Sequence, residues 1–291
     1  MNYIRLMLIL ICFSGLLFGM DIKKKEMPTV VPTSWLNEHI DDPRVVVVDV
    51  RSKIIFRHGH IKDAVNLPVM EKFFKDDFFM PDIEFLRKTF SKAGIDSNSL
   101  VVAYDGGVFI WASRLYWVLE VLGHKNVGIL EVGFPNWKNA KLPTQILVTK
   151  PHSKEFIPRV DSTKVATKLS TLVSIGKKTI VDGRLKNHYD GKESLSKRFG
   201  HIPTAENYRC TNNFETDNVG HKIKDLKALS KMYKNIPKNK DVIVYCDGGP
   251  EAALNYVILQ ELGYKVAVYD GSWFEWGNDD NLPIDNHLHQ K

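Results

Sequence analysis

The stretch "DVIVYCDGGPEAALNYVILQELG", residues 241–263, places a cysteine where strand chemistry stops and helix chemistry starts. Cys246 ends a run of β-branched residues, and Gly248, Gly249 and Pro250 follow before a helical pattern begins. In open parallel sheets, ligands bind at the carboxyl ends of the strands. The glycines permit a sharp turn there. The loop amides and the helix start then point at one spot and favour an anion. A thiolate in such a cradle has a lowered pKa and is a nucleophile, and its persulfide would use the same donors. The bland reading is a packed, inert thiol, since free cysteine is among the most buried residue types. The strand–Cys–Gly-Gly–helix setting favours the reactive reading, which requires the sulfur to be charged and accessible. Asp247 and Glu251 oppose it. Two carboxylates near a thiol raise its pKa and repel an anionic partner. Pro250 suits the first helical position but offers no N–H.

The elements that must position this loop occur twice. "VVVVDVRSKIIFRHGHIKDAVNLP" (45–68) parallels "TIVDGRLKNHYDGKESLSKRFGHIPTAENY" (179–208). Both read strand, Asp-x-Arg, variable loop, Gly-His-Ile and a second short strand. "SLVVAYDGGVFIWASRLYWVLEVLGHKNVGILEVGFPNW" (99–137) parallels residues 241–276 as strand, Gly-Gly loop, amphipathic helix, strand and Gly-aromatic turn. Runs such as Val45–Val48 and Val242–Tyr245 are apolar without alternation, as strands covered on both faces should be. The helix expected over Ala252–Leu262 ends at Gly263, a good residue to follow a helix. The pattern predicts an α/β protein of two tandem domains, each a parallel β-sheet flanked by helices. Their expected bounds are 28–146 and 160–285, with a polar, proline-containing linker over 147–159.

The chain has 291 residues, 44% of them hydrophobic, enough for two domains. Its net charge of +6 is spread along the chain, and Lys23-Lys24-Lys25 reads as a solvated flank. No P-loop, zinc-type cysteine spacing or nucleic-acid motif is present. No cofactor or metal site is expected, and His287 and His289 read as tail. Three cysteines, Cys12, Cys210 and Cys246, make no disulfide framework. Arg5 and the apolar run Leu6 to Phe18 read as a secretory signal peptide over residues 1–20, with an uncleaved anchor as the alternative. The membrane is a partner only in the second case.

"VDGR", "GHIPTAENY", "YC-x-x-G" and "YDGSWFEWG" together resemble a tandem-domain rhodanese, that is, a thiosulfate or 3-mercaptopyruvate sulfurtransferase, over roughly residues 30–285. The resemblance implies a double displacement in which Cys246 takes a sulfane sulfur from a small anionic donor and passes it to cyanide or to a thiol, either a small one or thioredoxin. It implies a non-catalytic first domain, because Asp105 stands where the second has Cys246, and a carboxylate cannot carry sulfur. Trp117 on its helix reads as core. It places substrate contacts on the loop Asp247, Gly248, Gly249 and Glu251. Thiosulfate-using members have basic residues in that loop and mercaptopyruvate-using members Gly-Ser-Gly, so Asp-Gly-Gly here points to a monoanionic, mercaptopyruvate-like donor rather than a dianion.

Such a donor still needs a cation. Candidates are Arg184 in "VDGR", Lys197 and Arg198 in "SKRFGH", and His188 in "NHYDG", which lies near a family arginine and would make donor binding pH-dependent. An ion pair with a structural carboxylate is the competing role for Arg184. His60 and His201, repeated in both domains, read as structural hydrogen-bonding groups. Three other readings compete. One is a catalytically weak binding or regulatory relative. Another is a Cys-x5-Arg phosphatase, disfavoured because the clamp position is Ala252. The last is a Cys246–Cys210 disulfide. The N-terminal run predicts the secretory pathway or the extracellular space, and the resemblance gives mitochondrion or cytoplasm as the alternative.

Overall fold

The computed structural model describes residues 25–286. The N-terminal segment with Cys12, and His287 and His289, lie outside the described residues. Residues rich in Val, Ile and Tyr form the strands Val30–Val31 (β1), Val45–Asp49 (β2), Val65–Asn66 (β3), Leu100–Tyr104 (β4) and Val127–Leu130 (β5). The second half supplies Val165–Ala166 (β6), Thr179–Asp182 (β7), Ala205–Asn207 (β8), Val242–Tyr245 (β9) and Val266–Tyr269 (β10). The first five build a parallel sheet in the order β1-β5-β4-β2-β3, and the second five repeat it as β6-β10-β9-β7-β8. Every residue of β4 and β9 is buried, which explains their unbroken apolar sequence.

Each central strand leads through a turn into a helix, Ile110–Val121 (α1) in the first domain and Pro250–Glu261 (α2) in the second. Both turns enter the helix through left-handed backbone, at Phe109 (φ 61°) and at Gly249 (φ 100°). α1 and α2 pack against one another and share one core across the two domains, so neither helix has a polar face of the usual width. Trp117 is fully buried in that core. Tyr256 on α2 donates to Glu120 on α1 at 2.6 Å, and Gln260 reaches the same carboxylate at 3.1 Å. Gly263 follows α2 with φ 81°.

The repeated motifs form one buried frame, built twice. Arg51 grips Asp49, and Arg184 grips Asp182, each through Nε at 3.0 Å and Nη2 at 2.6 Å. The same Nη2 atoms donate to the carbonyls of Gly59 and Gly200. Tyr104 and Tyr245 each donate to the aspartate of their own domain at 2.6 Å and accept from the Ile61 and Ile202 amides at 3.1 Å. His60 stacks on Phe56 and bonds its carbonyl, and His201 does so with Tyr189. Both histidines are structural, as expected.

Tyr245→Phe should therefore lower stability by about 1–3 kcal/mol, because it strands the buried Ile202 amide and removes one of the donors to Asp182 Oδ2. Urea unfolding checks this, and a loss below about 0.5 kcal/mol, the range of ordinary surface changes, would count against a shared buried frame.

Candidate active site

Cys246 directly follows β9, and its sulfur accepts the Gly249 N–H at 3.0 Å. The amides of Gly249 and Ala252 both favour its thiolate form. The loop is pinned from the other side by the short helix Ser272–Trp276 (α3), where Trp273 N donates to the Cys246 carbonyl and Phe274 N to the Asp247 carbonyl, both at 2.9 Å. Ser272 Oγ accepts the Cys246 amide at 3.2 Å. Gly248 leaves room for the Phe274 ring, since a Cβ there would stand 2.8 Å from it. Phe78, from the first domain, packs on Phe274 with ring centroids 5.2 Å apart.

The expected exposure of the sulfur is not found. Cys246 has 0% of its surface accessible and belongs to the core shared by both domains. Burial first, then the charge of Glu251, and further Asp247, push the thiol pKa up; the two amides oppose this and lose. The lowered pKa expected from the cradle is thereby corrected. Local sequence shows the donors but not the core, built from both domains, that closes on the sulfur. Cys210 is likewise buried and free, its thiol pushed up by burial and by Glu251. The two cysteines are not joined in a disulfide.

Asp247 does not point to solvent. Its Oδ2 lies 3.0 Å from His188 Nδ1, and its Oδ1 lies 3.9 Å from Arg184 Nη1. Both of these last two atoms are buried without a hydrogen-bond partner. Burial raises the Asp247 pKa, and the charges of Arg184 and His188 lower it. His188 Nε2 also stands 3.8 Å from Glu193. Glu251, in the first turn of α2, is pushed up to about 7, by burial first and then by Asp247 and Asp182.

The expected cation for a donor is therefore mostly committed elsewhere. Arg184 faces Asp247, but its Nε and Nη2 are locked to Asp182 and Gly200, as Arg51 is in the domain without a thiol. Lys197 pairs with Asp280. Arg198 spends Nη1 and Nη2 on the carbonyls of Leu282, Trp276 and Asp279, beyond α3. The structure does not bring Lys197 or Arg198 to the loop as donor ligands; they tie the C-terminal segment to the second domain. Sequence reasoning put them near the site because the loop before Gly200 is short and its register could not be fixed.

The first domain shows the same turn filled by a carboxylate. Asp105 Oδ1 accepts from Gly107 N at 2.7 Å and Phe109 N at 3.1 Å, and Oδ2 from Trp111 N and Ala112 N at 3.3 Å. The cradle thus directs four amides at one carboxyl group, and burial still pushes the Asp105 pKa up against them. Among the described residues there is no cluster of side chains suited to a metal ion and no helix long and apolar enough to cross a membrane.

The family model for the rhodanese-like domain matches residues 32–140 and again residues 165–279. The chain is 30% identical to the sulfur carrier protein TtuD of Thermus thermophilus, covering 88% of this chain and 95% of that one. It is 30% identical to a thiosulfate sulfurtransferase of Corynebacterium glutamicum, covering 88% and 90%. Among solved structures, the 3-mercaptopyruvate enzyme SseA from Escherichia coli matches with a TM-score of 0.72 at 25% identity, over 85% of this chain and 99% of that chain.

A carboxyl raised in the folded state binds its proton more tightly there than in the unfolded chain. Its stabilising contribution is complete below the unfolded pKa, near 4.5, and is lost as pH rises through about 7. Wild-type stability should thus fall between these limits, and Glu251→Gln should flatten the fall. Urea midpoints measured across that range check this; identical slopes in the two proteins would refute the burial of Glu251.

Proposed function

Because this chain belongs to the family of rhodanese-like proteins and is a two-domain sulfurtransferase, we propose that Cys246 carries a sulfane sulfur between a small monoanionic donor of the 3-mercaptopyruvate kind and a thiol acceptor. The observation that carries this reading is the Gly249 amide set 3.0 Å from the Cys246 sulfur at the end of the central strand, in the turn that holds a carboxylate in the sister domain. The donor's C–S bond breaks as the Cys246 thiolate attacks its sulfur. The proton lost by the thiol is regained at the methylene carbon, which becomes the methyl of pyruvate. An acceptor thiolate, small or from a thioredoxin, then attacks the outer sulfur and leaves Cys246 as a thiolate. The loop amides hold the charge on sulfur at each stage.

The charges of the loop favour a monoanion. Asp247 and Glu251 stand beside the sulfur, while Arg184, Lys197 and Arg198 are engaged elsewhere. His188, the last of the four candidates, has Asp247 itself as its partner, and Arg209 acts on Glu251. A dianion such as thiosulfate meets more repulsion than mercaptopyruvate in this setting. Cys246 is fully buried, so access to the sulfur requires the surrounding structure to open. Full burial of Cys246 also supports a second reading, a catalytically weak relative that keeps the fold for binding or regulation. The secretory route, read from residues 1–20, belongs to this proposal too; N-terminal sequencing of the mature protein supports it if the chain starts near residue 21 and opposes it if Met1 is retained.

Incubation with 3-mercaptopyruvate should add one sulfur atom to Cys246 by peptide mass spectrometry and none in Cys246→Ser. In steady state, kcat/KM with 3-mercaptopyruvate should exceed that with thiosulfate by roughly tenfold or more, the effect of about one pKa unit of charge repulsion. Efficient thiosulfate turnover would overturn the donor assignment. No added sulfur with either donor would favour the binding reading.

A further inference from the structure

We propose that Arg114, a side chain of the domain without the thiol, is a positioning residue for sulfur chemistry at Cys246, acting through Asp270 on the Gly249 amide. The inference rests on the reading of Cys246 as the sulfur carrier. Arg114 sits in the middle of α1 and is fully buried. Its guanidinium lies over Phe74 and Trp117, 4.4 and 4.7 Å from the ring centroids, and its Nε donates to the Phe73 carbonyl at 3.2 Å. The two remaining nitrogens take both oxygens of Asp270 in the second domain. Asp270 Oδ2 also accepts the Met80 amide at 2.8 Å. Asp270 is the aspartate of the segment "YDGSW", which the sequence offered without a role.

This pair is the wall against which the sulfur loop is built. A Cβ at Gly249 would stand 3.0 Å from Arg114 Nη1 and 3.0 Å from Asp270 Oδ1. The Gly249 backbone, at φ 100°, therefore sits in van der Waals reach of the ion pair while its N–H faces the Cys246 sulfur. Two effects follow. The pair fills the space into which the Gly249 peptide would otherwise swing, and so keeps the N–H aimed. It also neutralises Asp270. Without Arg114, a third carboxylate would face a loop that already carries Asp247 and Glu251 and has Arg184, Arg209, His188 and Cys210 around it. An anionic sulfur would be disfavoured on both counts. The first domain would then contribute to the chemistry through its arginine, although its own turn holds Asp105 instead of a thiol.

The test is the pH dependence of Cys246 alkylation by iodoacetamide, followed by peptide mass spectrometry from about pH 7 upward past the range in which cysteines ordinarily ionise, because burial pushes this thiol above it. Arg114→Gln should slow alkylation about tenfold at a given pH by moving the midpoint up by about one unit. Arg114→Gln with Asp270→Asn, which removes both charges, should recover most of that loss. Glu120→Gln is the control: it weakens the same α1–α2 contact at Tyr256 and Gln260, away from Gly249, and should leave the midpoint unchanged even where it lowers the melting temperature. If Arg114→Gln does not fold, Arg114→Lys, which keeps the charge but loses the fork, should give a smaller upward shift. An unchanged midpoint in the arginine variants, or the same shift in Glu120→Gln, overturns the proposal. Alkylation is measurable whether or not sulfur is transferred. Failure of wild-type Cys246 to gain sulfur would defeat the carrier reading and leave this result to be judged separately.

Discussion

A sulfur atom closed into a turn of main-chain amides, with carboxylates on either side of it, is the constraint around which this chain is arranged. The Gly249 amide pulls toward a charged sulfur, while burial, Glu251 and Asp247 pull toward a neutral one. The second set wins in the closed structure. The sister turn shows why this balance is delicate. There Asp105 fills the cradle with its own carboxylate and takes up donors from Gly107, Phe109, Trp111 and Ala112. A thiol is smaller and leaves part of such a cradle for what it carries. A persulfide adds a second sulfur and spreads the charge, so it suits the cradle better than the bare thiol does.

Duplication explains which groups are free to serve the sulfur. Asp-x-Arg, the strand-end tyrosine, Gly-His-Ile and Asn66 or Asn207 form the same buried network in both halves. A residue that performs the same bonds in the domain without a thiol is part of the frame. Arg184 is such a residue, apart from the one nitrogen that faces Asp247. The turn after the central strand differs between the halves, with Asp105 in one and Cys246 in the other, and His188 meets Asp247 in that turn. Specificity would then sit in few residues on a frame held by buried hydrogen bonds.

Much of this was readable from the chain. Unbroken Val and Ile runs marked the covered strands, Gly263 marked the end of α2, and the repeated motifs marked two domains of one topology. The structural role of His60 and His201 followed from their presence in both halves. The state of the site was not readable, because it depends on contacts across long sequence separations. The direction of the Asp247 carboxylate could not be read locally, and it meets His188 from the short helix Lys186–Tyr189. Cys246 looked accessible, yet Phe78 and Phe274 close over the neighbouring glycine. Arg114 stood as a charge on an apolar helix, and nothing in the sequence named Asp270 as its partner. A buried cation on an otherwise apolar helix must be paired, and that was the one signal available.

The central claim is that the closed loop holds Cys246 as a neutral thiol whose charged form must be drawn out by a ligand or by opening. The ultraviolet absorbance of the thiolate, taken as wild type minus Cys246→Ser across a pH titration, measures this directly. The account expects a midpoint above 9.0, the value of an unperturbed thiol, in the unliganded protein. A midpoint well below that value in the unliganded protein would contradict it, because the amides would then have prevailed over burial and the two carboxylates.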